Sequence, residues 1–234
     1  MTKSRTGWVT VAGMILWAVT LGASAADTAA GTITLVTGHA SAAAPSGEIR
    51  DLVKGGAVYS GETVITTSGS YVNIAFTDGG RVLLRPESRF QIERYQYAGG
   101  QGASTAQAAQ PARQESAFFR LLKGGFRAVS GLIGHTRRED YGVQTPVATI
   151  GIRGTDYEVR YCNGDCSDIT PAPKDGLYAG VQSGGIALTN AGGQTTTTAG
   201  QYVFVSGSNN AGIPLALRPL ALGKNPLPDP KTCN

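Results

Sequence analysis

Charge is scarce in this chain. Asp, Glu, Lys and Arg make up 15% of its 234 residues, against roughly 25% in an average soluble domain. That excludes a charged helical bundle, a coiled coil and a charged disordered chain. Enzyme signatures are missing as well: there is no Gly-x-Ser-x-Gly, no His-Glu-x-x-His and no Gly-x4-Gly-Lys-Ser/Thr stretch. Carboxylates such as Glu62, Asp78, Glu87, Glu139, Asp156 and Glu158 exist, but sequence alone does not bring any two of them together as a glycosidase pair. Glycine, at 33 residues, is plentiful, and 41% of the chain is hydrophobic. This composition suits many short strands joined by tight turns, in one domain or at most two small ones.

The first residues carry two positive charges, Lys3 and Arg5, then an apolar run from Trp8 to Gly22 and the small residues Ala23-Ser24-Ala25-Ala26. A basic start, a short apolar core and an A-x-A pattern define a secretory signal peptide over residues 1–25. The alternative is a permanent inner-membrane anchor, but a helix of this length, roughly 22 Å, is short of the roughly 30 Å hydrocarbon core. A periplasmic or secreted protein with no stable membrane span after cleavage is therefore expected, and the lack of a Cys after the apolar run speaks against a lipid anchor. The formal charge of +4 shrinks to +2, because cleavage removes two of the 20 basic residues and none of the 16 acids. The remaining arginines, among them Arg81, Arg94, Arg120 and Arg160, are dispersed and form no nucleic-acid patch.

From Gly31 onward the chain reads strand, turn, strand. Thr63 to Thr67 is β-branched throughout, and Val72, Ile74 and Phe76 alternate with Tyr71, Asn73 and Ala75. Asp78-Gly79-Gly80 is a hairpin turn into Arg81–Arg85, with an ion site as its second reading. Further strands are expected at Phe90–Ile92, Phe126–Val129, Tyr141–Thr145, Ala148–Ile152 and Tyr157–Tyr161, and again at Leu177–Val181, Ile186–Thr189, Thr195–Thr198 and Tyr202–Val205. Residues 98–116, almost all Gly, Ala, Gln, Ser and Thr, read as a mobile insertion. Residues 206–234 read as a Pro-rich extended tail. The fold class is all-β, with β-solenoid and sandwich both open. One echo, Leu52-Val53-Lys54-Gly55-Gly56 against Leu121-Leu122-Lys123-Gly124-Gly125, hints at stacked units without establishing a repeat.

Cys162 and Cys166 flank Asn163-Gly164-Asp165. In an oxidising compartment this spacing suits a disulfide at a hairpin tip, with free thiols and a metal site as alternatives. Zinc would lack four ligands, since no His is near. Asn163, Asp165 and Asp168 offer oxygens to calcium, but not in an EF-hand pattern. Cys233 is left free or paired between chains. His135 sits in a polar turn and is expected to be solvated.

Val143-Gln144-Thr145-Pro146-Val147-Ala148-Thr149-Ile150-Gly151-Ile152-Arg153-Gly154-Thr155-Asp156-Tyr157 resembles the core signature of the FecR domain family. Gly61–Thr67 and Asp78–Ser88 resemble its first half, and Val181–Ile186 with Ala199–Tyr202 its last strands, so the likeness runs from about Gly31 to Val205. The best-known members are membrane-bound regulators whose cytoplasmic segment binds a sigma factor. Only seven residues precede the apolar run here. What the resemblance implies is therefore a stand-alone exported FecR-like domain over residues 26–205, without the sigma-binding region.

Within that signature, Thr145, Pro146, Arg153, Gly154, Thr155, Asp78 and Gly79 are the candidate site residues, with structural roles expected for all of them. Arg153 is expected to pair with an internal acid beside a positive-φ Gly154; the functional alternative is a guanidinium gripping a carboxylate or phosphate. The resulting expectation is a non-catalytic module without metal or cofactor that binds an envelope protein or surface component. Self-association through strand edges and glycan binding are its rivals.

Overall fold

A computed structural model of the chain describes residues 28–99 and 115–223. The leader at 1–25, most of the insertion at 98–116, Cys233 and the end of the Pro-rich segment lie outside the described residues. The fold is all-β. Its strands are β1 (Ala29–Thr37), β2 (Ala40–Ala43), β3 (Ile49–Asp51), β4 (Ala57–Tyr59), β5 (Thr63–Thr66), β6 (Tyr71–Phe76), β7 (Arg81–Leu84), β8 (Arg89–Gln96) and β9 (Ser116–Val129). A five-residue helix α1 (Leu132–Thr136) follows. Then come β10 (Tyr141–Gln144), β11 (Thr149–Ile152), β12 (Asp156–Cys162), β13 (Gly176–Ser183), β14 (Gly185–Asn190), β15 (Gly193–Thr198), β16 (Tyr202–Val205) and β17 (Ile213–Leu215).

These strands form two ladders. The first runs β4-β1-β6-β7-β9-β12-β13-β16-β17, and the second β3-β2-β5-β8-β9-β10-β11-β14-β15. From β5 onward the chain alternates between them, so each ladder grows in sequence order. The layout combines the layers of a sandwich with the progression of a coil. All pairings are antiparallel except β9 with β10, where the chain returns to the second ladder through α1.

Strand β9 belongs to both ladders. Residues 116–123 pair with β8, and residues 124–129 with β7 and β12. The bend falls at Gly124, whose φ of +77° is the left-handed region that glycine tolerates. A Cβ there would sit 2.7 Å from Ser88 Cα. Lys123-Gly124-Gly125, which looks like a turn in the sequence, is thus a fold line within one strand. Lys54-Gly55-Gly56 by contrast is a true turn between β3 and β4, and the sequence echo joins two unlike structures.

The alternating residues meet between the ladders. Val72, Ile74 and Leu84 of the first layer share one core with Val64, Phe90, Ile92 and Ile150 of the second. Aromatic rings bridge the layers: Phe76 lies 5.1 Å from Tyr95, and Phe90 lies 5.3 Å from Phe126. Residues 206–223 differ from the expected free tail. Strand β17 extends the first ladder, and Ala221 and Leu222 are buried beside Cys162, Cys166 and Tyr178. Apolar residues between the prolines anchor the segment across the outer face of the first ladder.

Candidate interaction site

The Asp78 turn, the segment after β9 and the Arg153 turn meet at one end of the two layers. The carboxylate of Asp78 is buried. It accepts hydrogen bonds from Gly80 N at 3.0 Å and Ile133 N at 3.3 Å, while its carbonyl accepts Leu132 N at 3.0 Å. Gly131 packs so closely that a Cβ would lie 2.3 Å from Asp78 Cγ. Gly79, at φ +85°, completes the turn. Tyr95 adds a hydroxyl that accepts from Asp78 N at 2.9 Å.

Thr155 secures the same segment from the other side. Its N–H donates to Ser130 Oγ at 2.9 Å, and its carbonyl accepts Ser130 N at 3.0 Å. Its hydroxyl donates to Gly185 O at 2.7 Å and accepts from Arg153 N at 3.1 Å. Gly154 has φ +59°, and a Cβ there would meet the His135 ring at 2.8 Å. Asp78 and Thr155, 77 positions apart in sequence, therefore clamp residues 130–136 between them.

Arg153 departs from expectation. It is exposed, and no carboxylate of the described residues lies within ion-pairing distance of it. The strand turns its backbone into the clamp and its side chain out to water. The buried arginine is Arg85, which the sequence pattern did not single out. Arg85 donates to Glu158 Oε2 at 3.0 Å, and Arg218 from the C-terminal segment holds both oxygens of the same carboxylate. Burial pushes the Arg85 guanidinium below its ordinary pKa, against the opposing pull of Glu158. Glu158 points away from the core in an alternating strand, where an exposed side chain is expected. The C-terminal segment that covers it carried no signal readable from strand period.

Thr145 and Pro146 lie at the far ends of β10 and β11, away from this clamp. Thr145 Oγ1 donates to Ala148 O at 2.7 Å and accepts Ala148 N at 3.1 Å, which closes the hairpin beside exposed Pro146. Cys162 and Cys166 form a disulfide, with Cα atoms 5.5 Å apart. It closes a small ring at the start of the long β12–β13 connection. Asn163 N donates to Asp165 at 2.9 Å and Gly164 N to Asp175 at 2.7 Å, so the loop's acids serve its own backbone. Among the described residues no group of three or more His, Cys, Asp or Glu side chains could hold a metal ion. The cleft beside Glu158, about 410 Å³, is lined by Tyr71, Arg85, Glu87, Arg160 and Asp168. Arg160 is engaged there by Asp168 at 2.6 Å.

Residues 62–169 match the family model described as FecR protein. The match spans β5 to β12 and includes both halves of the clamp. Two crystal structures of a protein designated an anti-sigma factor from Parabacteroides distasonis are similar, at 14% and 13% identity and TM-scores of 0.44 and 0.45. Each alignment covers 65% of this chain and 58% of that one. A structure described as a cell surface anchoring domain aligns at 35% identity over 26% of this chain and 82% of its own length, with a TM-score of 0.26. No curated protein matches. No helix among the described residues is long and apolar enough to cross a membrane.

Proposed function

We propose that this protein is a non-catalytic, exported interaction or sensing module of the bacterial cell envelope, built on a FecR domain. The observation that carries the reading is how the signature residues are used. Asp78, Thr155 and Gly154 spend their polar groups and backbone freedom on holding residues 130–136, and Thr145 closes a hairpin. The cavity that Asp78 lines holds only about 10 Å³, and its carboxylate oxygens are taken by backbone N–H groups, so it is not poised as an acid or base would be. Such residues build a surface, and a surface acts by binding. The apolar leader at residues 1–25 supports export, and the Cys162–Cys166 disulfide suits an oxidising compartment.

Fractionation of the source cells, followed by cross-linking of the tagged full chain in place, tests both parts. Expected are a processed protein outside the cytoplasm and at least one specific cross-linked envelope partner. Retention in the cytoplasm, or no specific partner at any cross-linker length, overturns the reading. A second reading, self-association, draws on β15, a Thr-rich strand that among the described residues has a ladder partner on one side only. Sedimentation that shows a monomer across a wide concentration range removes it.

A further inference from the structure

The arginines among the described residues fall into two groups. Arg50, Arg85, Arg120, Arg127, Arg160 and Arg218 each contact a carboxylate. Arg81, Arg89, Arg94, Arg137, Arg138 and Arg153 are exposed and have no carboxylate of the described residues within ion-pairing distance, Arg94 lying over the Phe118 ring. Four of the six, Arg81, Arg137, Arg138 and Arg153, sit at the clamp end. Arg81 follows the Asp78 turn, Arg137 and Arg138 follow α1, and Arg153 precedes the Gly154 that packs on His135. Exposed Leu132 lies among them on α1, and exposed Val129 ends β9 beside it, at 54% and 43% exposure.

The acids at this end do not balance the patch. Asp78 and Asp140 are buried, and Asp156 holds Arg127 at 2.7 Å, which leaves Glu139 as the exposed carboxylate of this segment. Every full cation is an arginine, a planar fork suited to bidentate contact with carboxylates. The backbone beneath is fixed from two sides by Asp78 and Thr155, so little ordering is needed when a partner arrives. We infer that this end of the FecR domain is a docking surface for an acidic segment of a partner protein, with carboxylates on Arg137, Arg138 and Arg153 and an apolar side chain on Leu132. The inference rests on the interaction-module reading and gives it a location and a partner chemistry. An exposed apolar residue ringed by arginines fits a peptide with mixed side chains better than a purely anionic surface.

The test selects phage-displayed random dodecapeptides on the immobilised full chain. Enriched peptides are expected to be rich in Asp and Glu and to carry Leu, Ile or Phe. Their synthetic versions should bind at least about tenfold more weakly to the triple variant R137Q/R138Q/R153Q and to wild type at 500 mM salt, since exposed ion pairs are screened. Arg89→Gln, at the opposite end, should bind as wild type does. Because all substituted side chains are exposed, melting temperatures should match, which separates lost binding from lost folding. The inference is overturned by peptides without acidic bias, by an unchanged triple variant, or by equal loss in Arg89→Gln. It is also overturned if phosphatidylglycerol vesicles bind wild type more tightly than any peptide through the same arginines. Cross-linking in cells separates the two claims: a partner captured equally by the triple variant ends this inference alone, whereas no partner for wild type ends the module reading.

Discussion

Glu158→Gln should be among the most damaging conservative changes in this protein, although Glu158 faces away from the core. The carboxylate is 1% exposed, and the Arg85 residue it contacts is 6% exposed. Glutamine keeps the shape and loses the charge, which leaves the buried Arg85 guanidinium without its carboxylate. Breaking a buried pair in this way costs about 3–5 kcal/mol. For a chain of this size each kcal/mol corresponds to about 2–4 °C, so the melting temperature should fall by roughly 6–20 °C. Arg218→Ala should cost less, about 1–2 kcal/mol, because the Arg218 side chain is 33% exposed and solvent screens what it loses. The double variant Arg85→Met/Glu158→Leu removes both buried charges and should lose less than Glu158→Gln alone. Thermal and urea unfolding of the four proteins at neutral pH gives the ranking. A Glu158→Gln melting temperature within about 2 °C of wild type would refute the argument, because a carboxylate that matters so little cannot be holding Arg85 in a dry site.

Other perturbations test other parts of the fold. Gly124→Ala forces a side chain into a left-handed backbone and against Ser88, and should cost about 2 kcal/mol or more in urea unfolding. Gly55→Ala has a similar φ but open space around it, and should cost only about 1 kcal/mol. Reducing the Cys162–Cys166 disulfide, whose sequence separation is four, should remove about 2 kcal/mol by chain entropy, read as a lower melting temperature in dithiothreitol. Burial pushes the hydroxyls of Tyr95, Tyr141 and Tyr157 above their ordinary value. Their stabilisation is complete below a pH of about 10 and is lost above it, because the unfolded chain then releases protons the native state keeps. The slope should approach about 1.4 kcal/mol per pH unit for each tyrosine. Urea midpoints at pH 9 and pH 11 check this, and Tyr157→Phe should flatten the decline.

Strand period exposes some of this architecture in the sequence and hides the rest for a definite reason. Alternation works where one face of a strand meets the core, so β6, β7, β12 and β13 are legible from Val72, Val82, Tyr157 and Leu177 onward. It reports which way a side chain points and says nothing about whether another segment later covers the outward face. Arg153 and Glu158 illustrate the gap. Both belong to outward positions near β12, yet one meets water and the other lies under residues 216–223. A Gly-Gly pair is ambiguous in the same way: Gly55-Gly56 and Gly124-Gly125 have like sequences, and only the pairing of β9 with strands on both ladders makes the second a fold line. The disulfide was legible because its spacing is local, and local signals survive without tertiary information.

Covering the outer face also changes what the net charge means. Among the described residues Glu62, Asp78, Asp140 and Glu158 are buried, against one buried cation, Arg85. Glu62 is held by half-exposed Arg50, and Asp78 by backbone N–H groups, so carboxylates are drawn inward while guanidinium groups stay at or near the surface. The solvent-facing shell is therefore more basic than the chain's formal charge suggests. That excess is not spread evenly, because at the clamp end the carboxylate of Asp78 is itself the device that fixes the exposed Arg137 segment. The burial that removes a negative charge from the surface and the rigidity that would favour docking have one cause. Asp78→Asn separates them. It deletes the charge and keeps one acceptor, for Gly80 N or Ile133 N, which donate to different oxygens of Asp78, and it sets an amide NH2 against the other N–H, so a clear fall in melting temperature should accompany acidic-peptide affinity that is unchanged or higher. Affinity that collapses while the fold persists would mean that the Asp78 carboxylate positions the patch by more than its hydrogen bonds.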